Sequence, residues 1–150
     1  MAEVSTNKTM MLEVVTPYAV FFEGRIEKMI LPAQDGQLGV LPGHSPLVVA
    51  VTPGIATIII DGEEKQFVVS EGFAEIAHHA TVIVCNAAEW PEEIDEGRAR
   101  SALERAEAKI NNPENTDEQR LYARHAIRRA KARLKLASEN PKKKNHRFME

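Results

Sequence analysis

Residues 54–69 read GIATIIIDGEEKQFVV. β-branched and aromatic residues stand on both sides of Asp61-Gly62, a pair that accepts the positive φ angles of a tight hairpin turn. Thr57–Ile60 and Glu63–Val69 are therefore expected to pair antiparallel across that turn. The same texture extends outward in short runs broken by turn residues: MLEVVTP from Met11, RIEKMILP from Arg25, PLVVAVTPG from Pro46, FAEIA from Phe73 and TVIVC from Thr81. Strands at short intervals with no helices between them predict an antiparallel β-sandwich, or flattened barrel, rather than a parallel α/β sheet.

Past Glu89 the apolar period lengthens from two to about 3.6 residues. Pro91 suits a first helical position, and Glu92, Glu93 and Asp95 suit the positive end of the helix dipole. Ala99, Ala102, Leu103, Ala106 and Ile110 make one stripe, so the spacing predicts a helix of about twenty residues. Asn111-Asn112-Pro113 stops it. Thr116 and Gln119 then form a capping-box signal for a second helix, with Ala123, Ala126, Ile127, Ala130, Leu134 and Ala137 as its stripe. The expected organisation is a β-sandwich over residues 1–88, an antiparallel helical hairpin over 89–140, and a basic, disordered tail over 141–150. Alanine faces bury little apolar area, so the hairpin should hold only weakly to itself and to the sandwich.

A chain of 150 residues supports a core without covalent staples. The lone Cys85 lies in an apolar run and reads as a buried small hydrophobe in a reducing compartment. No stretch approaches a membrane span and the N-terminus lacks a secretory pattern, so membrane association is expected only through a partner. The net charge of −3 conceals an asymmetry. Residues 1–88 carry ten acidic and four basic side chains, and residues 89–150 carry twelve and fifteen. The basic half suits an anionic ligand or partner. Lys142-Lys143-Lys144 is no nucleic-acid signature in a chain that is acidic overall, poor in aromatics and without a groove-reading motif.

Each chemical candidate has a plain alternative. His44-Ser45 lacks a nucleophile elbow and an assignable acid. His78-His79, adjacent on a strand, would face opposite ways, and no third metal ligand stands at a recognisable spacing. Gly36 and Gly39 precede no Gly-Lys-Ser/Thr and open no helix, so they serve turns rather than a phosphate loop. Asp95, Arg98 and Arg105 fall near one helical face, and Arg129 and Arg133 on one face of the partner helix. Arginines converging from two helices could grip phosphates with forked guanidinium groups, while a carboxylate accepts from a base amino group. Taken from spacing alone, solvated helical ion pairs explain these residues more readily.

The run DGQLGVLPGHSPL (35–47), with SEGFAE (70–75) and an alanine-rich helical hairpin, resembles the epsilon subunit of the bacterial F-type rotary ATP synthase, from about Met11 to Ser138. The resemblance implies a noncatalytic rotor subunit with no required cofactor. Its sandwich would dock on the gamma subunit and the c ring, helping to couple proton or sodium flow to nucleotide chemistry on other chains. Its hairpin would lie down on the sandwich or extend toward the alpha and beta subunits and oppose ATP hydrolysis. The chain would sit peripherally on the cytoplasmic face of the bacterial cell membrane. Asp35, Gln37 and His44 match rotor-contact positions, with Gln37 where some relatives carry an acid. Ile94, Asp95, Arg98 and Ala99 match an I/L-D-x-x-R-A motif that binds ATP, with or without Mg. Arg129 and Arg133 match second-helix arginines of that site, with Glu89 and Arg105 in supporting positions. Two other classes remain beside it: a stand-alone ATP-sensing regulatory module, and a hydrolase using His44 and Ser45.

Overall fold

The computed structural model describes residues 8–140; the basic tail expected from Pro141 onward lies outside them. Ten strands come first: β1 Met10–Val15, β2 Val20–Ile26, β3 Lys28–Ala33, β4 Gly36–Val40, β5 Leu47–Val51, β6 Gly54–Ile60, β7 Glu63–Val69, β8 Gly72–Ile76, β9 Ala80–Cys85 and β10 Ala88–Glu89. A 3-10 turn at Pro91–Glu93 leads to α1 Glu96–Asn111 and α2 Asp117–Ser138. This is a β-sandwich followed by a helical hairpin.

The hairpin of residues 54–69 is β6–β7, in register from Gly54 opposite Val69 to Ile60 opposite Glu63. Asp61 and Gly62 both take positive φ, 51° and 78°, as a two-residue turn matched to strand twist requires. The Gly62 amide also donates to Glu27 Oε1 at 2.9 Å. The sheet runs β10-β7-β6-β3-β5-β8-β9-β1-β2, with β4 paired to β3. One pair departs from the antiparallel expectation: β1 runs parallel to β9, from Met11 opposite Ala80 to Val15 opposite Val84. Parallel partners need a long connection, here the whole of β2 to β8, and local turn signals carry no trace of it.

Three strands were not legible as such, the two-residue β10 among them. Val20–Ile26 begins half-exposed, which blurs its alternation. Gly36–Val40 looked like turn chemistry, yet it pairs with β3 and places Gln37 opposite Pro32. Alternate residues point inward along β1 and β3, and Met10, Leu12 and Val14 in β1, Met29 and Leu31 in β3, and Ile58, Phe67 and Ile83 are all fully buried. Trp90 closes one end of this core, stacked on Phe21 at a centroid distance of 4.8 Å. The sandwich's aromatic packing thus reaches two residues beyond residue 88.

The first helix is shorter than the spacing predicts. Pro91 does begin a turn, but Ile94 and Asp95 are extended and Asp95 is the N-cap of α1, accepting from the Arg98 amide at 3.1 Å. A buried anchor explains the break. Ile94 packs with Val68, Ala132, Leu136 and Ala137 in a small apolar seam between hairpin and sandwich. The capping box at Thr116 and Gln119 opens α2 with both reciprocal bonds. Ala99, Ala106, Ala123 and Ala130 are buried in the hairpin. A single stripe misses Ala132 and Leu136 because α2 packs on two sides, against α1 and against β6 and β7.

Candidate functional site

The arginines expected to converge separate into two sets. Arg133 and Arg129, one turn apart on α2, turn toward the sandwich. Arg133 Nε donates to Glu89 Oε1, and Arg129 Nη1 donates to Glu71 Oε1 and Oε2 at 2.8 and 2.9 Å. These side chains keep only a quarter to a third of their exposure, where ion pairs are screened less than on open surface. Glu71 is further held by Asn86 Nδ2 at 3.0 Å. Burial alone would raise its pKa, but the backbone and Asn86 hydrogen bonds together with Arg129 bring it below the ordinary value of 4.5. His125 Nδ1 stands 3.9 Å from Glu71 Oε2.

Close backbone approach positions this carboxylate. A Cβ on the next residue, Gly72, would lie 2.0 Å from the Val84 carbonyl oxygen. Only glycine lets β8 press so tightly on β9 there. Glu71 thus stands at a fixed strand start under α2. It was missed from sequence because its partner is 58 residues away and no local pattern links them.

Arg98 and Arg105 form the other set. Both are exposed on α1 and line a shallow cleft with Gly97 and Ser101. Arg105 also lines a groove of about 490 Å³ between the helices, where Arg129 enters from α2 over a floor of Ala102, Ala106, Ala123 and Ala126. Arg105 and Arg129 therefore share one groove, while Arg133 is drawn to Glu89. Ile94 and Ala99 are buried packing residues, and Asp95 caps its helix. Chemically, the groove offers cations without a lining carboxylate, a setting for a polyphosphate.

The rotor-contact candidates lie on the sandwich, away from these helices. Asp35 and Gln37 are exposed at the β3–β4 turn, with Gly36 at a φ of 122°. His44, half-buried, sets Nδ1 2.7 Å from the Ser45 carbonyl oxygen, a contact that assigns Ser45 no nucleophilic role. The neighbouring Gly43 amide donates to the His78 carbonyl at 2.8 Å, pinning this loop to the β8–β9 turn. Phe73 and Val84 stand opposite one another on β8 and β9, and Val48 lies diagonally across on β5, so the three make an exposed apolar patch. Among the described residues no three His, Cys, Asp or Glu side chains gather as a metal site, and no helix is long and apolar enough to cross a membrane.

Two family descriptions cover this architecture: "ATP synthase, Delta/Epsilon chain, beta-sandwich domain" matches residues 9–91 and "ATP synthase, Delta/Epsilon chain, long alpha-helix domain" matches 92–138. An ATP synthase epsilon chain of Caldanaerobacter subterraneus subsp. tengcongensis is 42% identical over 134 residues, covering 89% of this chain and 96% of that one. One from Clostridium novyi is 40% identical over 130 residues, covering 86% and 98%. Among solved structures, a chain of the Euglena gracilis mitochondrial ATP synthase OSCP/F1/c-ring assembly superposes with a TM-score of 0.73 at 26% identity, covering 87% of this chain and 81% of that one.

Proposed function

The chain belongs to the epsilon-subunit family of the F-type ATP synthase, a noncatalytic component of the central stalk, and on that premise we propose that it is a rotor subunit whose helical hairpin senses ATP. The sandwich docks on gamma and the c ring and helps couple proton or sodium translocation to ATP synthesis. The hairpin binds ATP, with or without Mg, while folded on the sandwich. Once released it extends toward the alpha and beta subunits and opposes hydrolysis. The chain works as a peripheral subunit on the cytoplasmic face of the bacterial cell membrane.

One observation carries the nucleotide reading. Arg129 is common to the Glu71 ion pair and to the interhelical groove that holds Arg105. A phosphate entering that groove would act on a residue that also fixes the hairpin to the sandwich, so binding and docking share a side chain. The small seam of Val68, Ile94 and Leu136 supports reversible release, since little apolar area must be exposed. The patch of Val48, Phe73 and Val84, each more than half exposed, supports docking on another subunit.

The test uses the assembled synthase. Removing residues 92–150, which leaves Trp90 on its sandwich, should preserve assembly and coupled synthesis and raise ATP hydrolysis. Loss of assembly would overturn this division of labour. Calorimetric titration of the full chain with ATP, beside Arg98→Ala and Arg129→Ala, tests the ligand. No heat at millimolar ATP would sink the sensor.

A further inference from the structure

We infer that Lys109 is a further phosphate-binding residue of the hairpin, at the far end of a cationic track that starts at Arg98 and passes Arg105. The inference rests on the nucleotide reading above and deepens it. Arg98, Arg105 and Lys109 follow at intervals of seven and four residues on α1, which keeps them near one face. At the helical rise, Arg98 and Lys109 stand about 16 Å apart along the axis and Arg105 and Lys109 about 6 Å. That is the scale of an extended nucleoside triphosphate. The Arg98 cleft and the interhelical groove share Arg105, and Lys109 lines the groove together with Arg129.

The arrangement is electrostatically odd without an anion. Arg105 and Lys109, four apart on one helix, repel one another. Arg129 adds a third positive charge from the facing helix, and no carboxylate lines the groove. Arg129 has Glu71 for a partner, but Lys109 makes no ion pair among the described residues. Its neighbours one helical turn back and one turn on include no acid: Arg105 and Ala106 precede it, Asn112 and Pro113 follow. The backbone there is fixed nonetheless, because Asn115 Nδ2 donates to the Lys109 carbonyl and ties the end of α1 to the loop. A nucleotide with its base in the Arg98 cleft, beside Gly97 and Ser101, would carry its phosphates toward Arg105 and Arg129, leaving the terminal phosphate within reach of Lys109. The mundane role for a lysine in a last helical turn is to complement the helix dipole. That role predicts lower helix stability and no dependence on the number of phosphates.

The experiment titrates the full chain with ATP and with ADP by calorimetry at low ionic strength, comparing wild type, Lys109→Gln and Lys109→Arg, with circular dichroism of each. Lys109→Gln should weaken ATP about fivefold and ADP by less than about twofold, the scale of one exposed charge–phosphate contact. Lys109→Arg should restore ATP binding, and helical content should stay unchanged. Equal loss for ATP and ADP, or no loss for either, overturns the role of Lys109 while the nucleotide reading stands. A wild-type chain that binds neither nucleotide overturns both.

Discussion

The Arg129 guanidinium reaches both carboxylate oxygens of Glu71, Nη1 lying 2.8 Å from Oε1 and 2.9 Å from Oε2, and so joins the middle of the last helix to the start of β8. With Arg133 on Glu89 one turn further along, it gives the hairpin two polar fasteners beside a small apolar seam. Glu71→Gln keeps the shape and removes the charge. The hairpin should then detach more readily, by about 1 kcal/mol or fivefold in the open population. Amide hydrogen exchange of α2 against that of the sandwich checks this. Equal protection in both proteins would refute it.

The same carboxylate gives the docking a pH dependence. Its folded-state pKa lies below the ordinary 4.5, so its contribution is complete above that value and is lost as pH falls through the lower folded value. Hairpin protection, with the intrinsic exchange rate at each pH divided out, should fall on acidification below about pH 4.5. Glu71→Gln should flatten that fall, leaving only what other carboxylates contribute.

Gly72 offers a packing test. A methyl there would meet the Val84 carbonyl oxygen at 2.0 Å and Cys85 Cα at 2.7 Å, so strands β8 and β9 must separate. Gly72→Ala should destabilise the sandwich by about 3 kcal/mol in denaturant unfolding. Gly39→Ala is the control, because nothing lies within 4 Å of the added atom.

Asp95 separates capping from ligand binding. Asp95→Ala removes the acceptor of the Arg98 amide and should cost α1 about 1 kcal/mol. Asp95→Ser retains a cap. Under the nucleotide reading, ATP affinity should fall in both variants, while helical stability falls only in the first. Titration beside thermal circular dichroism distinguishes them.

Burial raises the Cys85 thiol to about 11, more than its hydrogen bond near Ala87 lowers it. Its thiolate is scarce at neutral pH. Maleimide or dithionitrobenzoate should leave the native chain unlabelled over hours and modify it at once in denaturant.

The strand-rich half was legible where local chemistry sufficed. Asp61-Gly62 specified its turn, and the inward alternation of Leu12, Val14 and Ile58 followed from period two. The capping box at Thr116 was likewise local. What escaped depended on distant partners. β1 beside β9 needs the intervening strands in place, and Leu136 looked surplus to a helix stripe because its contact is the sandwich rather than α1. Among candidate site residues, side-chain type identified the arginines, but not their division. Spacing placed Arg129 and Arg133 together, and Glu71 and Glu89, contributed by the sandwich, turned them away from Arg98. Lys109 was readable as a third member of the Arg98 and Arg105 spacing, though only the facing groove gives that spacing a use.

The parallel pairing of β1 with β9 also orders events during synthesis. Met11 must wait until Ala80 has emerged before its edge is covered. The last helix is made after every strand, so Glu71 and Glu89 are already on offer when Arg129 and Arg133 appear. The hairpin thus arrives as a late guest on a surface assembled without it, and its later departure need not disturb the host.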